Sequence, residues 1–161
     1  MPRLKTLLFC GVLGLCAGPA LAAPPCLTAE ETSAVQVRQF HLRLQVAALK
    51  CDDPAWGIRD RYNGYVSKFG PALSSNAQSL RAALKRTGFA RNETQFDRYI
   101  TRLANDVSLS APSSVDYCRQ HLSMLDEVLA APTAALAGFA VRHEFTPPES
   151  CSVAQVAEKR K

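Results

Sequence analysis

The sequence predicts an all-α protein, a disulfide-stapled helical bundle of about five to six helices. Three observations carry that expectation. Apolar residues recur at spacings of three and four along most of the chain, no stretch alternates convincingly with period two, and capping residues stand between the apolar runs. Ahead of the helical region, residues 1–22 have the form of a secretory leader. Arg3 and Lys5 supply a basic start, a short apolar run follows, Gly18-Pro19 break it, and Ala20-Leu21-Ala22 offers a small-residue cleavage site.

The elements follow in order. Thr28-Ala29-Glu30-Glu31 reads as a capping box, in which Thr28 accepts from the third helical amide and Glu31 reaches back. The helix it opens, over 30–50, carries two apolar stripes: Val35, Leu42, Val46 and Leu49, and Val37, Phe40, Leu44 and Ala48. Two stripes imply burial on more than one side, so this helix is expected at the centre. Asp53-Pro54 restarts the chain in N-cap and N1 form. Ile58, Tyr62, Tyr65, Val66 and Phe69 then follow at helical spacing; Asn63-Gly64 is a hairpin signal, but its flanks keep the helical period. Gly70-Pro71 is expected to end that helix and start another, with Leu73, Ala77, Leu80 and Leu84 on its stripe and Gly88 as C-cap.

Asn92-Glu93-Thr94-Gln95 opens the next helix, whose buried face is Phe96, Tyr99, Ile100, Leu103 and Val107. Residues 108–113, with Pro112, read as a loop. Ser113 or Ser114 caps a helix with the stripe Val115, Cys118, Leu122, Leu125 and Leu129, and Pro132 stops it. Residues 133–143 form a short apolar helix, and Pro147-Pro148 begin a C-terminal arm that contains Cys151. No internal repeat is visible. Residues 23–161 are thus expected to form a single helical domain, with a flexible basic tail over about 152–161.

The formal net charge is +5 and the pI about 9.0. Arg3 and Lys5 at one end and Lys159, Arg160 and Lys161 at the other account for the excess, so the body is near neutral and nucleic acid is not an expected partner. The leader's apolar run is well short of the roughly 20 residues a membrane span needs, and charges or prolines interrupt every later one. Lipidation is disfavoured because Phe9 precedes Cys10 and Leu15 precedes Cys16, where a small residue is needed. The protein is expected in the periplasm, cleaved after Ala22, as a monomer.

Of six cysteines, Cys10 and Cys16 fall in the leader, leaving Cys26, Cys51, Cys118 and Cys151. In an exported chain these favour two disulfides over a metal site, and no CxxC pair argues otherwise. If Gly70-Pro71 only kinks one long helix, the segments run up, down, up, down, and Cys51 and Cys118 share an end, leaving Cys26 for Cys151. If the chain reverses at Gly70, Cys26 with Cys118 and Cys51 with Cys151 becomes the better pairing. The first is preferred here.

Candidate chemistry is sparse. His121 and Met124 lie three apart on one helix, His41 sits beside the buried stripe of another, and His143 closes the last. Such ligands suit haem or copper between helices, but no HExxH or Cys/His cluster accompanies them, so neither metal nor cofactor is expected. No GxSxG, SxxK or Gly-rich phosphate loop occurs; Ser74-Ser75, Ser108 and Ser113-Ser114 read as caps or loop residues. Asp52-Asp53 resembles a carboxylate pair, yet Asp53 is explained as an N-cap. Arg59-Asp60-Arg61 with Tyr62, Tyr65 and Lys68 is a candidate basic–aromatic surface for a sugar or peptide, although both tyrosines also fit the buried stripe. Asn105 is either a buried hydrogen-bonding residue or part of a solvated helix end. Asn92-Glu93-Thr94 is a glycosylation sequon that reads here as a cap.

The leader, Ala47-Ala48-Leu49-Lys50-Cys51, Tyr62-Asn63-Gly64-Tyr65-Val66, Leu103-Ala104-Asn105-Asp106 and Tyr117-Cys118 together resemble a group of small exported helical proteins of alphaproteobacteria. The similarity covers roughly residues 28–120. It implies a periplasmic helical domain in which Cys51 and Cys118 are the shared pair, with Cys26 and Cys151 additional. It implies no activity or ligand, so no functional residue is carried over. The resulting expectation is a binding or envelope-associated protein without catalysis, whose partner is an unknown envelope protein or small ligand. The alternatives are a bundle carrying a small ligand, haem or metal between its helices, and a small envelope hydrolase.

Overall fold

Thr28 starts the first helix, α1 (Ala29–Lys50), through a capping box: the Glu31 amide donates to Thr28 Oγ1 at 3.2 Å and the Thr28 amide donates to the Glu31 carboxylate at 2.8 Å. The structure, a computed structural model, describes residues 26–143. Arg86 fastens the same carboxylate from the far end of the next helix, with Nε 2.7 Å from Oε1, a second contact through Nη2, and 2.8 Å from Nη2 to the Cys26 carbonyl. The Arg86 hydrogen bond, helped by Thr28, holds the Glu31 carboxyl down at about 2 against the opposing effect of burial. Helix α1 packs on each of the other four α-helices, the central position its two stripes predicted. Phe40, Leu44, Val35 and Ala47 are fully enclosed. Leu49, expected on a stripe, is instead 67 % exposed in the last turn.

Asp53 caps a short 3-10 turn, Pro54–Trp56, and Gly57 at φ +60° turns the chain into α2 (Ile58–Thr87). This helix runs unbroken through Gly70-Pro71, which corrects the expected break there. Proline in a helix interior removes one ladder bond and costs about 3 kcal/mol. Packing on both sides of it holds the helix together. Upstream, Tyr65 and Phe69 bury in the main core with Phe40, Leu125 and Val128; downstream, Leu80 and Leu84 bury in a second cluster with Val35, Ala90 and Phe96. Asn63-Gly64 lies within the same helix, with Leu129 of a later helix against Gly64. Val66, placed on the stripe by spacing, faces outward. Gly88, at φ +81°, ends the helix and donates to the Lys85 carbonyl, a conformation that side-chain-bearing residues adopt at a cost.

Asn92 caps α3 (Glu93–Ser110), accepting from the Gln95 amide at 3.0 Å. The helix continues to Ser110, so the connection predicted over 108–113 is shorter than expected. Lys50 Nζ explains the extension: it donates to the carbonyls of Ser108 (2.9 Å) and Ala111 (2.6 Å), satisfying the carboxyl end of α3 from the end of α1. Ser114, of the two serines considered, caps α4 (Val115–Ala130). Lys68 of α2 serves α4 as Lys50 serves α3, donating to the carbonyls of Leu129 and Ala131 at 2.6 and 2.7 Å. A second 3-10 turn, Thr133–Ala135, leads into α5 (Leu136–Arg142), which lies on α1.

These ties define the topology. Arg86 brings the end of α2 to the start of α1, and Lys50 brings the end of α3 to the end of α1, so α1 to α4 run up, down, up, down. Cys51 and Cys118 meet at one end in a disulfide with a Cα–Cα distance of 5.7 Å. That bond excludes the alternative in which each paired elsewhere. Cys151, and with it the expected Cys26–Cys151 bond, lies outside the described residues, as do the leader and the basic tail. Among the described residues there is no strand, and no helix is long and apolar enough to cross a membrane.

Candidate functional site

The residues singled out by motif and spacing are mostly used in holding the bundle together. Asp53 is an N-cap and Asp52 is exposed. Of the basic–aromatic surface, Tyr65 is fully buried, Tyr62 is half-buried, Arg61 pairs with Asp126 at 2.6 Å and Lys68 caps α4. Asn105 is exposed, the solvated alternative of the two considered. Met124 is core. Of the three histidines, His41 packs between α1 and α2 beside Tyr62 and Tyr65, His143 stacks on Phe40 at 5.6 Å, and His121 is buried on α4, where it feels the charge of His143. Among the described residues, no three His, Cys, Asp or Glu groups gather as a metal site would require.

His121 is the unexpected one. Spacing put Leu122 and Val115 on the inner stripe of α4, yet Val115 is 58 % exposed and His121 only 2 %. The buried face is Tyr117, Cys118, His121, Met124, Leu125 and Val128, rotated by about one residue from the expected stripe. His121 Nδ1 lies 2.8 Å from the Tyr117 carbonyl. A carbonyl only accepts, so Nδ1 carries the proton and Nε2 is left as an acceptor. Burial lowers the pKa of this ring; the Tyr117 hydrogen bond opposes that, and the charges of Arg43 and His143 reinforce it. The imidazole is therefore neutral at pH 7.

A cavity of about 200 Å³ opens here, lined among the described residues by Arg43, Val107, Ser110, Ala111, Pro112, Tyr117 and His121. It sits where α1, the end of α3 and the start of α4 converge, next to the disulfide. The Tyr117 and His121 rings pack with centroids 4.0 Å apart, tilted by 37°. Tyr117 Oη and His121 Nε2 are both buried and without a hydrogen-bond partner in the fold. Burial raises the Tyr117 pKa, against the pull of Arg43, so its hydroxyl stays protonated. Leaving a buried polar group unpaired costs about 1–3 kcal/mol. Two residues that line one cavity with Arg43 thus each keep a buried polar atom, one a donor and one an acceptor, that the fold leaves without a partner.

A second polar cluster lies on α1 and α2. Arg38 Nε, His41 Nδ1 and Tyr65 Oη are buried there without partners, and Arg38 also feels Tyr62 and Arg81. Burial, then the charge of Arg38, pushes the His41 pKa down to about 4. An imidazole kept neutral in the fold gains a proton on unfolding below pH 6.5. Its contribution is therefore whole above pH 6.5 and lost as the pH falls toward 4, by up to about 3 kcal/mol. His121 and His143, also lowered, act in the same direction, and Glu31 extends the loss below pH 4.5. Urea midpoints at pH 7.5 and 4.5 test this: the wild type is expected to lose stability on acidification, and His41→Phe to lose markedly less. Equal losses in the two proteins would refute the assignment to His41.

Set against family models, curated proteins and solved structures, the chain matches none of them, and its function is read from its own residues.

Proposed function

We propose that this is an exported, envelope-associated binding protein that holds a small ligand between its helices and performs no catalysis. One observation carries the reading: Tyr117 and His121 line the same cavity as Arg43, and each keeps a buried polar atom, Tyr117 Oη and His121 Nε2, that the fold leaves without a hydrogen-bond partner. A fold stabilised only by its core gains nothing from two such groups, whereas a ligand that pairs both recovers their cost. Other hydroxyls and thiols nearby are engaged: Ser110 donates to the Val107 carbonyl and Cys118 is in the disulfide. The leader, the disulfide and the resemblance to exported helical proteins support the envelope setting.

The test is a titration of the oxidised, exported protein, isotope-labelled, with small hydroxy acids, amides, polyols and amines at millimolar concentration. A ligand is expected to shift the His121 imidazole and Tyr117 ring resonances, leave His41 unmoved, and raise the melting temperature. Tyr117→Phe and His121→Phe should each weaken it at least tenfold. If no compound moves those resonances, and both variants are more stable than the wild type with no other change, the cavity is a packing defect and the reading fails.

A further inference from the structure

We propose that the C-terminal segment of this chain is a strap, fastened to the start of α1 by a Cys26–Cys151 disulfide, and that its Val153 and Val156 fill an apolar hollow beside that bond. The hollow lies toward the opposite end of the bundle from the His121 cavity, and the inference is independent of the ligand reading of that cavity.

Cys26 supplies the first support. It is held in a disulfide, while Cys51 and Cys118 are bonded to each other. Of the six cysteines, Cys10, Cys16 and Cys151 are then left as its partner. The first two depart with the leader, so in the exported chain the bond falls to Cys151. Reach agrees with this. His143 stacks on Phe40, in the middle of α1, and the way back along that helix from Phe40 to Cys26 is about 20 Å. Residues 143–151, nearly extended, span about 25 Å. Pro147-Pro148 favour that extended form. The slack is small, so the strap runs straight back along α1 rather than looping away from it.

The hollow supplies the second. Its volume is about 260 Å³, and its lining includes Leu27, Phe89, Tyr99 and Leu103, with the exposed side chains of Arg102 and Asp106. The walls are within reach of an occupant: Phe89 is 40 % exposed, and Leu27 and Tyr99 are only partly buried. Leu27 follows Cys26 directly, so a segment bonded to Cys26 is delivered to this wall. Val153 and Val156 come just after Cys151 and stand three apart, a spacing that puts both on one side of a helical turn. Two valine side chains, each of about three water-sized groups, take up about 180 Å³ and fit the space. Glu158 and the basic run Lys159-Arg160-Lys161 come next, opposite in sign to Arg102 and Asp106. A free ligand competes poorly for such a place, because a tether this short gives an effective concentration of the order of millimolar.

The exported, oxidised protein tests this directly. Peptide mapping without reductant is expected to find Cys26 joined to Cys151 of the same chain. Nuclear Overhauser contacts are expected from the Val153 and Val156 methyls to the Phe89 and Tyr99 rings. The dye anilinonaphthalenesulfonate reads whether the hollow is filled. Its fluorescence should rise at least threefold on Val153→Asp/Val156→Asp, with unchanged circular dichroism, since both positions lie outside α1 to α5 and all four cysteines stay in place. Cys151 joined to a second chain or to a small thiol would overturn the proposal, as would valine methyls without ring contacts. Dye bound equally by the wild type and the variant would overturn it too, and would mark the hollow as open to another molecule.

Discussion

Replacing Cys51 and Cys118 together by alanine is expected to cost about 4 kcal/mol of stability. The bond closes a loop of 67 residues in sequence, and in the chain-entropy model the unfolded chain is restricted by about that amount. Both cysteines are buried at the end of the bundle, at 3 % and 8 % exposure, so alanine removes little more than the crosslink. For a chain of this size the melting temperature should fall by about 10–20 °C. The denaturant slope should rise, because an unfolded chain freed of the loop exposes more surface. Chemical reduction would not serve as well, since it also acts on other cysteines. A variant that melts within about 3 °C of the wild type would show that the ties made by Lys50, Lys68 and Arg86 already hold the helices without the staple.

That staple was legible only in part, and the reason lies in Pro71. Capping is local chemistry, so Thr28, Asn92 and Gly88 could be read from a few neighbouring residues. Whether Gly70-Pro71 breaks a helix depends on what its two flanks bury against, and those partners, Phe40 and Val35 on α1, lie elsewhere in the chain. Spacing therefore left two pairings open, and the unbroken α2 decides between them. The same limit explains an exposed apolar residue. Leu49 sits where a stripe would place it, in the last turn of α1, and is 67 % exposed.

The candidate site was less legible than the fold. The stripe chosen for α4 counted Val115, Leu122 and Leu129 and left out Tyr117 and His121, so it set the inner face about one residue away from the true one. A signal was nonetheless present: Cys118, His121, Leu125 and Val128 follow the same three-and-four spacing as the chosen stripe. Arg43 offered no such signal. Its place on the cavity wall depends on α1 meeting the α3–α4 connection, an encounter between distant segments that periodicity does not encode.

The second large effect is expected at Phe40, and its interest lies in a contrast with the ring beside it. Phe40 is fully buried, meets Tyr65 edge-on at 6.3 Å and stacks on His143 at 5.6 Å, joining α1 to α2 and to the end of α5. Phe40→Ala opens a cavity where three helices meet and should cost about 3–5 kcal/mol. Tyr65 is just as buried and continues the aromatic stack to Phe69 at 5.3 Å, yet its hydroxyl has no partner. Tyr65→Phe keeps the ring and discards only that hydroxyl, so it should leave stability unchanged or raise it by about 1–2 kcal/mol. Urea denaturation of the two variants separates packing from polarity within one cluster. A loss on Tyr65→Phe comparable to that of Phe40→Ala would mean the Tyr65 hydroxyl is bonded in solution, to Arg38 or to water, and that the polar cluster on α1 and α2 supports the fold.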